Sequence, residues 1–237
     1  MSDRVAIVTG AGRGIGRAVA VELARRGYRL ALVSRTQREL EETRALCGGA
    51  AKTSSSSFSF VCDVADAQRV DALVEDVLAN LGRVDVLAHC AGMAVMKSIE
   101  QLSIEQWRGM LDTNLSSVYF LCRRLWSVFR RQGGGVVVNV SSYAARDPFA
   151  GLGAYGAAKA GVNLLGLALA REGAEIGVRV HTVAPAATET AMLRSLLSAD
   201  QLPADKTLEP EAVARVIVQC ICGDLACSSG EVIYVHK

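Results

Sequence analysis

Short, β-branched apolar runs alternate with helical periodicity along this 237-residue chain, and that alternation leaves few folds open. The runs are VAIVT (5–9), LALVS (30–34), Phe58 to Cys62, VDVLAH (84–89), VVVNV (136–140), VRVHTV (178–183) and EVIYVH (231–236). Several are apolar along their whole length, with no in-out alternation, as strands are when a parallel sheet is covered on both faces. Between them the apolar spacing is helical. One segment ends at Arg26-Gly27, one runs from Thr36 (a candidate N-cap) to Leu46, and one from Ala67 to Leu81. A long pattern from Ser103 to Arg131 is stopped by the glycines at 133–135, another helix starts near Ala154, and the last covers Pro210 to Cys222. Pro185 is expected to break the pattern after the sixth run, leaving loop and short helix up to Pro210. The serine-rich stretch GGAAKTSSSS (48–57) reads as a surface loop. The expectation is an α/β fold, a doubly wound, mostly parallel sheet in one domain spanning 1–237.

Composition removes several function classes. Hydrophobic residues make up 51% of the chain, and 26 basic residues against 24 acidic leave a net charge of +2. A nucleic-acid footprint would need basic residues gathered on one element. The cluster Arg123, Arg124, Arg130 and Arg131 reads instead as a solvated helix end that complements its dipole. No stretch reaches the ~18 uninterrupted apolar residues of a membrane span, and the first strand starts too early to leave room for a signal peptide. The seven cysteines are odd in number and mostly embedded in apolar segments, as expected of reduced thiols in the cytoplasm. The C-x-C-x4-C run at 220–227 lacks a fourth ligand and the usual C-x2-C spacing, so no metal is expected.

Residues 9–16, TGAGRGIG, sit between a strand and a helix, where a phosphate cradle belongs. Glycines let the backbone approach a pyrophosphate, and the helix N-terminus supplies unpaired N–H groups. Within a βαβ unit this reads as a dinucleotide site. The carboxylate that would hold an NAD ribose at the end of the second strand is replaced by Ser34-Arg35, and Arg13 lies in the turn itself. Two guanidiniums with no carboxylate suit a 2′-phosphate, so NADP(H) is the expected cofactor; the alternative is two solvated surface arginines.

Tyr155 and Lys159 stand four apart in AYGAAKAGVNLLGLALA and therefore share a helix face. An ammonium beside a phenol favours the phenolate, so the Tyr155 pKa is expected to fall below its reference of about 10. Ser142 closes the run VVVNVSS at the carboxyl end of a strand, from which its hydroxyl can meet the same carbonyl as the phenol.

These residues together resemble the short-chain dehydrogenase/reductase family over essentially the whole chain. The resemblance is carried by TGAGRGIG, CDV (62–64), AG (91–92), the pattern from Asn114 to Tyr119, Ser142, and Tyr155-x-x-x-Lys159. In general look it is closest to 3-oxoacyl-carrier-protein reductases. It implies a single Rossmann-type domain with a seven-stranded sheet. It also implies Gly10, Arg13, Gly14, Ile15 and Gly16 along the phosphates, with Ser34 and Arg35 at the 2′ end. Asp63 would lie on the adenine edge with Val64 nearby, and Ala91 and Gly92 by the ribose. Pro185 and Thr190 would lie at the nicotinamide end. Asn114, Ser142, Tyr155 and Lys159 would be catalytic, with Asn114 holding a water that connects Lys159 to solvent and Lys159 also binding the nicotinamide ribose. Other roles stay open: Asp63 as a helix cap, Asn114 satisfying backbone, Thr190 as an N-cap only. The chain departs from the family pattern at His89-Cys90, at Ala186 and in lacking an Asp-Gly-Gly ending.

The implied reaction is hydride transfer between the nicotinamide and a carbonyl or secondary alcohol. Met93, Met96, Tyr143, Phe149, Leu152, Met192, Leu193 and Leu196 would form apolar walls for a small-molecule substrate, and 186–208 a movable lid. The alternatives are an alcohol, sugar or steroid dehydrogenase working oxidatively, and an NADP(H)-binding regulatory protein without turnover. The resemblance implies a homodimer or homotetramer paired through the two long helices.

Overall fold

A computed structural model describes residues 4–50 and 56–237. Seven strands form one sheet in the order β3-β2-β1-β4-β5-β6-β7. They are β1 (Val5–Thr9), β2 (Arg29–Ser34), β3 (Ser57–Val61), β4 (Val86–His89), β5 (Gly135–Val140), β6 (Val178–Pro185) and β7 (Val232–Val235). All six pairings are parallel.

Alternate side chains of each central strand enter different cores, and both cores are apolar. Val5 and Ile7 of β1 join Ala31 and Val33 of β2 under α3 (Ala67–Leu81), α5 (Ser117–Gln132) and α6 (Gly153–Gly173). Ala6 and Val8 join Leu30 and Leu32 under α1 (Gly14–Arg25), α2 (Gln37–Ala50) and α8 (Pro210–Cys222). A strand buried on both faces has no polar side to show, which is why these runs carry no alternation.

Three elements differ from expectation. Helix α2 continues through Cys47 to Ala50, because Cys47 packs into the second core, so the expected loop begins later; part of it, 51–55, lies outside the described residues. Strand β6 runs past the expected end at Val183 and stops at Pro185, where the break was expected. Pro185 pairs with Val235 of β7 but lies beyond Val183, the last partner of β5, so its missing N–H removes no central ladder bond. The long helix expected from Ser103 is divided. A capping box of Ser103 and Gln106 opens α4 (Ile104–Leu111), a π-turn spans Asp112–Ser116, and α5 follows. The N–H of Ser117 reaches back five residues to the Asp112 carbonyl. One extra residue in a turn leaves the apolar spacing on either side intact, so the periodicity does not register it.

Candidate active site

The strand order reverses between β1 and β4, and the chain leaves both at their carboxyl ends. The Ala91 N–H donates to Thr9 Oγ1 at 3.1 Å, tying the two exits together. Between them the glycine turn lies close against α1: a Cβ on Gly16 would stand 2.2 Å from the Gly10 carbonyl oxygen. Helix α1 has Arg13 at its N-cap with no side-chain capping bond, and no acidic residue in its first turn. Its leading N–H groups are therefore left for an outside anion. The crevice above them has a volume of about 270 Å³ and is lined by every expected cofactor residue except Tyr155, Lys159 and Pro185. These features fit a dinucleotide pyrophosphate.

Those three, with Ser142, line a second cavity of about 390 Å³. Ile15, Cys90, Gly92, Thr190 and Met192 border both, so the cavities open into each other. Of the expected walls only Met93 is absent from the second cavity; its sulfur lies toward Gly109 of α4. Ala94 and Asp147 line the cavity without having been foreseen, while Leu197, Leu202 and Lys206 enter it from the expected lid segment. The 186–208 segment covers it with the short helix α7 (Ala191–Leu196), and the Arg194 guanidinium grips Glu189 and donates to the Leu202 carbonyl at 2.8 Å.

The Ser142 hydroxyl accepts the Ala144 N–H at 3.1 Å at the start of a 3₁₀ turn, Tyr143–Ala145. The hydroxyl proton remains available to an acceptor in the cavity. Lys159 is buried, 3% exposed, and its ammonium donates to the Val140 carbonyl at 2.8 Å. Lack of solvent lowers its pKa to about 8. Tyr155 is partly buried, and desolvation raises its pKa above the usual phenol value while the neighbouring Ser142 opposes the shift. The expected depression by Lys159 is therefore absent from the protein alone. The shared face brings Lys159 Nζ to 5.7 Å from the Tyr155 ring centroid, but the ammonium is turned to a carbonyl rather than to the phenol oxygen.

Asn114 lies in the π-turn, fully buried, beneath both cavities rather than lining either. Its amide nitrogen donates to the Met93 and Met110 carbonyls at 2.8 and 2.9 Å, and its oxygen accepts the Met93 N–H at 3.2 Å. The side chain is thus engaged by backbone. Asn114 Oδ1 and Lys159 Nζ come within 2.9 and 3.6 Å of where a Gly92 Cβ would be, so both approach the same glycine.

At the other end, Asp63 accepts the Ala65 N–H at 3.1 Å, while the cap of α3 is Asp66. Thr190 lines both cavities and also caps α7, accepting the Leu193 N–H at 3.2 Å. The expectation of arginines without a carboxylate needs correcting. Arg13 faces Glu39 at 3.8 Å, and Arg35 faces Asp63 at 4.0 Å. Glu39 stands not at the end of β2, where a carboxylate is expected, but in the first turn of α2. Of the departures from the family pattern, His89 is buried and Cys90 partly buried. His89 Nε2 lies 2.9 Å from Ser117 Oγ, which donates to the Thr113 carbonyl. Burial, and then the Lys159 charge, lowers the His89 pKa to about 3, and burial raises the Cys90 thiol to about 12. Among the described residues no group of three or more His, Cys, Asp or Glu could hold a metal, and no helix is long and apolar enough to cross a membrane.

Comparison with known proteins matches residues 4–201 to the short chain dehydrogenase family model. D-threitol dehydrogenase of Mycolicibacterium smegmatis is 38% identical over 185 residues, 78% of this chain and 70% of that protein. The 3-oxoacyl-acyl-carrier-protein reductase of Escherichia coli is 29% identical over 239 residues, covering 98% and 96%. Among solved structures, levodione reductase superposes with a TM-score of 0.92 at 27% identity, covering 100% of this chain and 97% of that one. A glycine-turn crevice opening onto a chamber with a serine, a tyrosine and a lysine, in a chain so matched along its length, makes this protein a member of the short-chain dehydrogenase/reductase family, an oxidoreductase of carbonyl or alcohol substrates.

Proposed function

We propose that the protein is an NADP(H)-dependent reductase of apolar ketones, of the 3-oxoacyl type, acting as one domain in the cytoplasm. The observation that carries this reading is that Ser142, Tyr155 and Lys159 share one largely apolar cavity continuous with the crevice over the glycine turn. The nicotinamide, when bound, supplies the hydride. Tyr155 gives the substrate oxygen its proton; a phenol whose pKa is raised is protonated at neutral pH, the form that reduction needs. Ser142 donates its free proton to the same oxygen and stabilises charge as it develops. Lys159, with a pKa of about 8, retains much of its charge at neutral pH and favours the phenolate left behind. Asn114 positions the backbone at Met93 and the turn beneath the lysine. Arg13 and Arg35 hold the 2′-phosphate. Met96, Phe149, Leu152 and Leu196 select an apolar substrate, since the cofactor brings the chemistry and the pocket the choice.

The D-threitol dehydrogenase relative favours a second reading, oxidation of a polyol. One assay separates the two. NADPH oxidation is followed over β-ketoacyl thioesters, diketones, quinones and ketosteroids, and NADP⁺ reduction over tetritols. Turnover of the apolar ketones is expected. Tyr155→Phe should bind NADPH as before and lose about 10²–10⁴-fold in rate. Turnover of tetritols alone would favour the second reading, and an unimpaired Tyr155→Phe would remove the phenol from the mechanism.

A further inference from the structure

Tyr143 directly follows the serine of the site and lines the apolar cavity. A tight turn fixes its backbone: the Arg146 and Asp147 N–H groups both donate to the Tyr143 carbonyl, at 2.9 and 3.0 Å. The last strand fixes its ring from outside the cavity. Tyr234 of β7 lies edge-to-face against it, with ring centroids 5.8 Å apart and planes at 79°, and the His236 ring stands at 6.5 Å and 80°. Neither Tyr234 nor His236 lines the cavity. Tyr234 is itself held on two sides. Its strand pairs with β6, placing it opposite Ala184, and the Ala186 N–H donates to the Val235 carbonyl at 2.8 Å. The Arg146 guanidinium lies 5.7 Å from the Tyr234 ring centroid, within cation–π range.

Edge-to-face contact is a preferred geometry for aromatic pairs. A ring wedged in this way between the cavity and a sheet strand does not swing outward to admit a larger group. The methionine walls, Met96 and Met192, are flexible by comparison and adapt to what they contact. Tyr143 is therefore a stiff wall beside the serine that meets the substrate oxygen. Resting on the proposed reduction of ketones in this cavity, we propose that Tyr143 is a specificity-determining residue and Tyr234 the positioning residue behind it. Together they restrict the carbonyl substituent on the Ser142 side to a narrow, unbranched group, so that the site selects straight-chain over aryl ketones.

The test follows NADPH oxidation with two β-ketoacyl thioesters that differ only in carrying a methyl or a phenyl group on the ketone. The wild type is expected to favour the methyl ketone by at least about tenfold in kcat/KM, and Tyr143→Ala to reduce that preference by about tenfold. Tyr234→Leu should reduce it in the same direction by lowering KM for the phenyl ketone with kcat kept, and Tyr234→Phe, which retains the ring, should restore it. NADPH titration by fluorescence checks that each variant keeps its fold. Equal turnover of the two ketones by the wild type, or a preference unchanged in Tyr143→Ala, would overturn the proposal. A preference lost in Tyr143→Ala but intact in Tyr234→Leu would overturn the bracing by β7. Turnover of neither thioester by the wild type would remove the ketone reduction on which the proposal rests.

Discussion

A lysine with no counter-ion among the described residues lies at the centre of this site, and its environment has a measurable cost. Lys159 is buried against the Val140 carbonyl with a pKa of about 8, against 10.5 when solvated. The unfolded chain therefore binds more protons than the native protein between those values. The lysine costs stability below about pH 8, and the cost disappears as pH rises to 10.5. Lys159→Met should be more stable than the wild type at pH 7, by on the order of 2 kcal/mol once the lost hydrogen bond is counted. Urea unfolding at a series of pH values should show that gain shrinking above pH 8; a gain independent of pH would mean that the native lysine is not penalised. Tyr155 and Lys159 were legible in the sequence because a four-residue spacing places them on one face. Spacing does not say which carbonyl takes the ammonium. The direction of the Tyr155 shift is set first by its desolvation in the folded chain, which spacing does not give either. Glu39 was hidden for a related reason: its approach to Gly12 depends on how α2 leaves β2.

At the level of elements, the π-turn at Asp112–Ser116 is what brings Asn114 under Gly92, and it is fastened from the sheet. Ser117 donates to the Thr113 carbonyl, so the 2.9 Å contact to His89 has the imidazole Nε2–H as donor, with the ring neutral. With a native pKa of about 3 against 6.5 when solvated, His89 binds fewer protons folded than unfolded between those values. Its contribution is present above pH 6.5 and lost as pH falls toward 3. His89→Asn should therefore show a flatter loss of stability between pH 6.5 and 4 than the wild type, measured by urea unfolding at each pH. An equally steep acid limb would show that His89 is not held neutral. The strands and helices α3 and α8 could be read from periodicity because their burial repeats along the chain. The π-turn could not, since the contact that fastens it, between β4 and α5, is contained in no local pattern.

At the scale of the whole molecule, the sheet brings the ends of β1, β4, β5 and β6 to one edge, where residues from Gly10 to Thr190 meet. The opposite surface of α4, α5 and α6 leaves Ile104, Trp107, Tyr119 and Leu164 exposed, Leu164 by 71%. Exposed apolar side chains on α4, α5 and α6 accord with the pairing of two copies that the family resemblance implies. Leu164→Arg should lower the mass measured by sedimentation toward that of one chain, and an unchanged mass would place the pairing elsewhere. The claim on which the rest depends is that cofactor crevice and apolar cavity are one reaction chamber, and isotope transfer tests it most directly. With NADPH deuterated at C4 on the reacting face, and a ketone that is turned over in ordinary water, the alcohol product should carry one deuterium on its carbinol carbon. Product free of deuterium, or a dinucleotide that binds without ever being oxidised, would contradict it.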